Sequence, residues 1–259
     1  MEQAEIQRQD KDSDCVDNVG EEQEEQAEQE HDRYKNNPEL LGEHKPKATR
    51  LFSFDWASGF VSPFRPTPEG ILSKLLSHVD FSGPESGTLL DLGCGDGLVL
   101  VQALKAFPRS QLRRAVGVDL DRELLDYAKG KILRNNDDGR REGDDDGQEY
   151  GVLGRLELYH GDLTTRDEAL SVIMTPTAAD HGAEIEGKES MTMRILLDEC
   201  SHIFVYLLPE ALSKLAGLLK EAVERRQKVV LSMRWEIPEL RGYQVHGGVD
   251  LQYYVYKLV

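Results

Sequence analysis

Between residues 68 and 259 the apolar positions switch repeatedly between a helical and a strand-like period. Ile71, Leu72, Leu75, Leu76 and Val79 recur three and four residues apart, which predicts a helix over about 68–79. Thr67 followed by Pro68 and Glu69 reads as its start, with Thr67 as the N-cap. Residues 87–91 form a short apolar run, a buried strand, and 97–107 a helix that stops at Pro108. "RAVGVDL" (114–120) is a second strand, and 122–134 a helix with Leu124, Leu125, Ala128 and Ile132 on one face. Residues 154–163 make a third strand, and 166–173 are read as a further helix. "HIFVYLL" (202–208) is a fourth strand, 209–226 an amphipathic helix opened by Pro209, and "KVVLSMRW" (228–235) a fifth strand. The end of the chain reads as two strands around a Gly247-Gly248 turn.

Strands alternating with helices of this length imply right-handed crossovers and a mostly parallel sheet with helices on both faces. The expected fold is therefore a single α/β domain ending on an antiparallel hairpin.

Composition limits where that domain begins. Residues 1–32 hold 13 acids, two bases and no Phe, Trp or Tyr, too little apolar area to offset the entropy of ordering. Residues 1–49 are expected to be an acidic disordered tail, or a docking arm for a basic partner. The domain is expected over 50–259, opening on an aromatic-rich stretch with Phe52, Phe54, Trp56, Phe60 and Phe64. An acidic loop insertion is expected at about 135–150. These two segments carry most of the net charge of −17, so the rest is near neutral. That leaves no concentrated basic surface for nucleic acid. No apolar run reaches ~18 residues, so no membrane span is expected. The N-terminus shows neither a signal peptide nor a mitochondrial transit pattern. A cytoplasmic monomer is expected, with a nuclear location open. Cys15, Cys94 and Cys200 are far apart and form no CxxC, so no metal site or disulfide framework is expected.

The chemistry concentrates in "LLDLGCGDG" (89–97), where the first strand ends. In open α/β sheets ligands bind at the carboxyl ends of strands, and glycines let the backbone approach them closely. The spacing G-x-G-x-G is not the dinucleotide G-x-G-x-x-G, and Asp91 just ahead of it disfavours a phosphate. A ligand carrying an ammonium or sulfonium suits that carboxylate. Asp119 ends the second strand, placed to accept ribose hydroxyls, and Asp162 follows the third, within reach of an adenine amino group. Asp96 either joins the site or caps the helix that begins near Gly97, and Cys94 reads as a small loop filler.

"LLDLGCGDG", "GVDLD" and "HGDL", in this order, resemble the first three motifs of class I S-adenosylmethionine-dependent methyltransferases. The resemblance covers roughly residues 60–259. It implies a Rossmann-like, seven-stranded sheet whose last strand is antiparallel, and S-adenosyl-L-methionine as cofactor. It implies that Asp91, Gly93, Cys94, Gly95, Asp96 and Gly97 hold the methionine part. Asp119 and Leu120 would then hold the ribose, and Asp162 and Leu163 the adenine.

"SPFRPTPEGILSKLL" ahead of the glycine motif resembles the "PFVPTP" lead of protein-lysine methyltransferases that act on adenine nucleotide translocase and ATP synthase c-subunit. "RWEIP" and the run from Gly248 to Tyr256 resemble them too. Those proteins carry a membrane-targeting N-terminus where this chain is acidic. The resemblance implies methyl transfer to a protein lysine or another amine, hence a protein substrate. Tyr206 and Glu210, after the fourth strand, are the candidates on the acceptor side. Each reads equally well as structural: Tyr206 in the core, Glu210 as a first-turn acid. Trp56, Phe64 and Trp235 either line the pocket or belong to the core. The competing expectation is a non-catalytic scaffold that keeps the fold and docks a partner through its tail.

Overall fold

The computed structural model describes residues 64–81, 87–137, 151–176 and 190–259, all within one compact unit, Pro46–Val259. The tail, Trp56 and residues 138–150 of the expected insertion lie outside the described residues.

Strand β1 (Gly87–Leu92) is buried at every position. Its neighbours are β2 (Leu112–Asp119) on one side and β5 (His202–Val205) on the other, both parallel to it. Strands β3 (Leu156–His160) and β6 (Val229–Met233) continue the parallel sheet outward. With β4 (Ser171–Met174), β7 (Gln244–Gly248) and β8 (Tyr253–Tyr256), the full order is β4-β3-β2-β1-β5-β6-β8-β7. Strand β8 runs antiparallel to β6, and β7 antiparallel to β8.

Alternate residues of each strand feed two separate cores. Leu89 and Ala115 pack with helices α1 (Glu69–Ser77), α2 (Leu98–Ala106) and α3 (Arg122–Asp137). Leu90, Leu92, Val116 and Val118 face α4 (Met193–Glu199) and α5 (Pro209–Glu224) on the other side. Helices thus cover both faces, as the run of buried parallel strands requires.

Four sequence expectations are corrected. Residues 166–173 are not a helix: Ser171–Met174 form β4, antiparallel to β3, and make the sheet eight-stranded rather than seven. Val172 and Ile173 are β-branched, and the open edge of β3 supplies hydrogen bonds that outweigh the acidic helix-start signal at Asp167-Glu168. Helix α4 is unforeseen; Thr192 caps it by accepting from the Ile195 amide at 3.3 Å. Thr67 makes no cap on α1, whose N-cap is Pro68. The Gly247-Gly248 pair lies inside β7, and the turn is a 3₁₀ segment, Val249–Leu251, closed by Gln252 at φ 55°. Gly247 is needed where it stands: a Cβ there would come within 2.1 Å of the Tyr253 carbonyl oxygen.

Among the described residues no helix is long and apolar enough to cross a membrane.

Candidate functional site

The chain between β1 and α2 turns three times through the left-handed region, at Gly93 (φ 84°), Gly95 (φ 54°) and Gly97 (φ 75°). Only glycine adopts such backbone repeatedly without strain. The Gly93 and Cys94 amides donate to the Val118 carbonyl at 2.8 and 3.2 Å, which pins the loop to β2. Asp96 accepts from the Leu98 amide at 3.2 Å and pairs with the Lys131 ammonium at 2.6 Å. Its carboxylate therefore takes up the first amide of α2, one position ahead of the N-cap, and Asp96 also lines the cavity.

Asp119, at the end of β2, ties the corner together. One carboxylate oxygen accepts from the Gly95 amide at 2.8 Å and the other from the Asp121 amide at 2.9 Å. Burial pushes its carboxyl up, and these backbone donors pull it back. With the Leu120 amide as a third backbone donor, the carboxylate keeps lone-pair capacity for a ligand hydroxyl. Asp162 folds into a turn after β3, its carboxylate accepting from the Thr164 amide at 2.8 Å and hydroxyl at 2.7 Å. Asp91 differs from all of these: it is 1% exposed, and neither oxygen has a hydrogen-bond partner among the described residues.

One cavity gathers these groups. Asp91, Gly93, Cys94, Gly95, Asp96, Asp119, Leu120, Asp162 and Leu163 line it, and so does Tyr206. Gly97 does not; it serves as the N-cap of α2. Glu210 is exposed in the first turn of α5 and does not line the cavity. Trp235 is half-buried against the α4–α5 core, under the Arg234 guanidinium at 5.4 Å. Phe64 does line the cavity, and its ring sits over Gly95 so closely that a Cβ there would meet it at 2.6 Å.

Sequence reasoning missed Arg65, Thr67, Asp121, Thr164 and Lys214, all of which line the cavity. Arg65 and Thr67 belong to the leader already singled out, so their stretch was visible though their role was not. Lys214 carried no signal, since with Ser213 it falls between Leu212 and Leu215 as an ordinary polar position of an amphipathic helix.

Burial pushes the Cys94 thiol well above its usual range, and the neighbouring Asp119 and Asp91 push it further. That is a filler's environment, since a reactive thiol needs a lowered pKa. Among the described residues no group of three or more His, Cys, Asp or Glu is arranged to hold a metal ion.

Leaving β4 aside, the strand order is the doubly wound order with one extra antiparallel strand, β8, inserted between β6 and the edge. No protein-family model matches the chain. A protein-lysine N-methyltransferase of Saccharolobus islandicus is 35% identical over 113 residues, 44% of this chain and 58% of that protein. The fold is a Rossmann-like, mostly parallel α/β sheet that ends on an antiparallel hairpin. A ribosomal protein L11 methyltransferase of Edwardsiella ictaluri is 32% identical over 84 residues, 32% of this chain and 21% of that protein. The chain thus spans little more than half the length of the first relative and about a fifth of the second. Among solved structures, an RNA methyltransferase of Salinibacter ruber with S-adenosyl-L-homocysteine superposes with a TM-score of 0.44 at 21% identity. The match covers 74% of this chain and 91% of that one. In open α/β sheets the ligand crevice lies at the carboxyl edge where the strand order reverses. Here that point falls between β1 and β5, with Asp91 on one strand and Phe204 opposite it on the other.

Proposed function

We propose that this chain is an S-adenosylmethionine-dependent methyltransferase that methylates a protein amine, a lysine side chain foremost. The observation that carries the reading is Asp91, a buried carboxylate with no donor among the described residues, in a cavity floored by the glycine loop. A cationic ligand supplies what that group lacks; a phosphate would add a like charge. S-adenosylmethionine, when bound, supplies the electrophilic methyl on its sulfonium.

The residues divide the remaining work. The glycine loop lets the ligand approach the backbone, Asp119 offers its free lone pairs to ribose hydroxyls, and Asp162 and Leu163 border the adenine. Phe64, Tyr206 and Leu207 make the acceptor side aromatic and apolar. Such a surface disfavours an ammonium and favours the neutral, nucleophilic amine. Holding that amine in line with the methyl is the main catalytic contribution, since alignment alone removes several kcal/mol from a barrier. Glu210 has no part in this reading. The protein-lysine and ribosomal-protein relatives support a protein acceptor.

The test is a calorimetric titration with S-adenosylmethionine, followed by transfer of a labelled methyl group to protein in cell extract. Binding, with the label recovered as methyl-lysine after hydrolysis, is the expected result. Label in RNA would overturn the acceptor, and absence of binding would favour a scaffold.

A further inference from the structure

Five carboxylates among the described residues line the cavity: Asp91, Asp96, Asp119, Asp121 and Asp162. Four are held by protein donors. Asp96 has the Leu98 amide and Lys131, Asp119 the Gly95 and Asp121 amides, Asp121 the Leu124 amide, and Asp162 the Thr164 amide and hydroxyl. Asp91 has none among the described residues.

The groups around Asp91 do not compensate for this. Strand β2 presents Asp119, and the glycine loop presents Asp96 and the Cys94 thiol. Beyond β5 stands Tyr206. Among the described residues the cations that line the cavity are Arg65, from the leader, and Lys214, from α5, and neither hydrogen-bonds Asp91. Burial first, then Asp119, then Asp96, push its carboxyl well above the usual range. Two carboxylates side by side, one with backbone donors and one without, are driven to different protonation states.

We propose that Asp91 is a proton-coupled counter-ion. It holds a proton in the ligand-free protein and releases it to solvent when a ligand bearing an ammonium or sulfonium enters the cavity. The only bond that breaks is the carboxyl O–H, and the ligand's positive charge replaces the proton's. The identity of that ligand rests on the proposed function; the proton on Asp91 does not.

The coupling makes the site selective for charge. A cationic ligand binds the ionised form, so its affinity rises with pH, by up to about tenfold per unit, until Asp91 is ionised in the free protein. A neutral nucleoside shows no such dependence.

Calorimetry in phosphate and in Tris, whose ionisation heats differ, counts the protons exchanged on binding. S-adenosylmethionine should release close to one proton per site at a pH where ordinary carboxylates are already ionised. 5′-Methylthioadenosine, with the same nucleoside but no cation, should release none. Asp91→Asn should abolish the release and flatten the pH dependence, with Asp91→Ser as a second variant should the amide disturb folding. Infrared spectroscopy of the ligand-free protein reads the group without any ligand: a protonated-carboxyl C=O band should be present, and absent from either variant. Equal proton release in parent and variants, or a parent without that band, overturns the proposal. If the band is present but neither nucleoside binds, the proton on Asp91 stands and the methyltransferase reading falls.

Discussion

Gly95 is the residue on which the cavity floor turns. It is left-handed, its amide holds Asp119, and the Phe64 ring rests where its side chain would be. Gly95→Ala therefore meets two penalties: backbone strain of about 1–2 kcal/mol, and a ring that must move. Weaker S-adenosylmethionine binding by tenfold or more is expected, read by calorimetry. In Gly95→Ala/Phe64→Ala the ring is gone, so the double variant should lose less than the sum of the two single ones. Gly95 was legible from spacing alone, because a glycine at a strand end has a local meaning. Its contact with Phe64 was not, since 31 residues separate them and only the tertiary path of the leader joins them.

Elements were legible where their pattern is local and long. Helices α3 and α5 carry an uninterrupted apolar face, and both were expected at nearly their observed bounds. Strand β4 and helix α4 were not, because four and seven residues hold too little pattern to outweigh what their neighbours impose. Arg155 shows the same dependence on neighbours. It sits in the 3₁₀ turn before β3, and its buried guanidinium donates to the Leu104, Phe107 and Leu112 carbonyls at 2.7, 3.2 and 2.9 Å. It thereby closes the C-terminal end of α2 and joins it to β2, a role no motif announces. Arg155→Ala leaves those acceptors unpaired and opens a gap, so a loss of about 2–4 kcal/mol in urea unfolding is expected. Arg155→Lys, with a single point charge, should recover only part of it.

At the scale of the whole molecule, two buried groups tilt stability against pH in opposite directions. His202, in the centre of the sheet, is held down to about 4 by burial, with its Nδ1 2.9 Å from the Ser201 hydroxyl. The unfolded chain takes up that proton near pH 6.5, the folded one only near 4, so the unfolded state binds more protons in between. Stability should fall across that window as pH drops, by at most about 3 kcal/mol. His202→Asn should flatten the midpoint of thermal unfolding over the same range. Asp91 has the reverse sign: the folded state keeps its proton longer, so stability is lost as pH rises through the raised pKa. Asp91→Asn should remove that loss. The tail belongs to this scale too. Its composition has nothing to contribute to a packed core, so deleting residues 1–49 should leave S-adenosylmethionine affinity within about twofold.

The sequence by itself determined the α/β alternation, the glycine loop, and the acids that end β2 and follow β3. Each of these follows from neighbours a few residues apart, through periodicity, turn chemistry and the geometry of a strand end. Only the tertiary structure decided which of those acids has a donor. That depends on where amides from other segments arrive: they reach Asp119, while none among the described residues reaches Asp91. It also decided that Glu210 faces away from the cavity while Arg65 and Lys214 line it, because a side chain's direction depends on how helix and leader pack and not on its spacing along the chain.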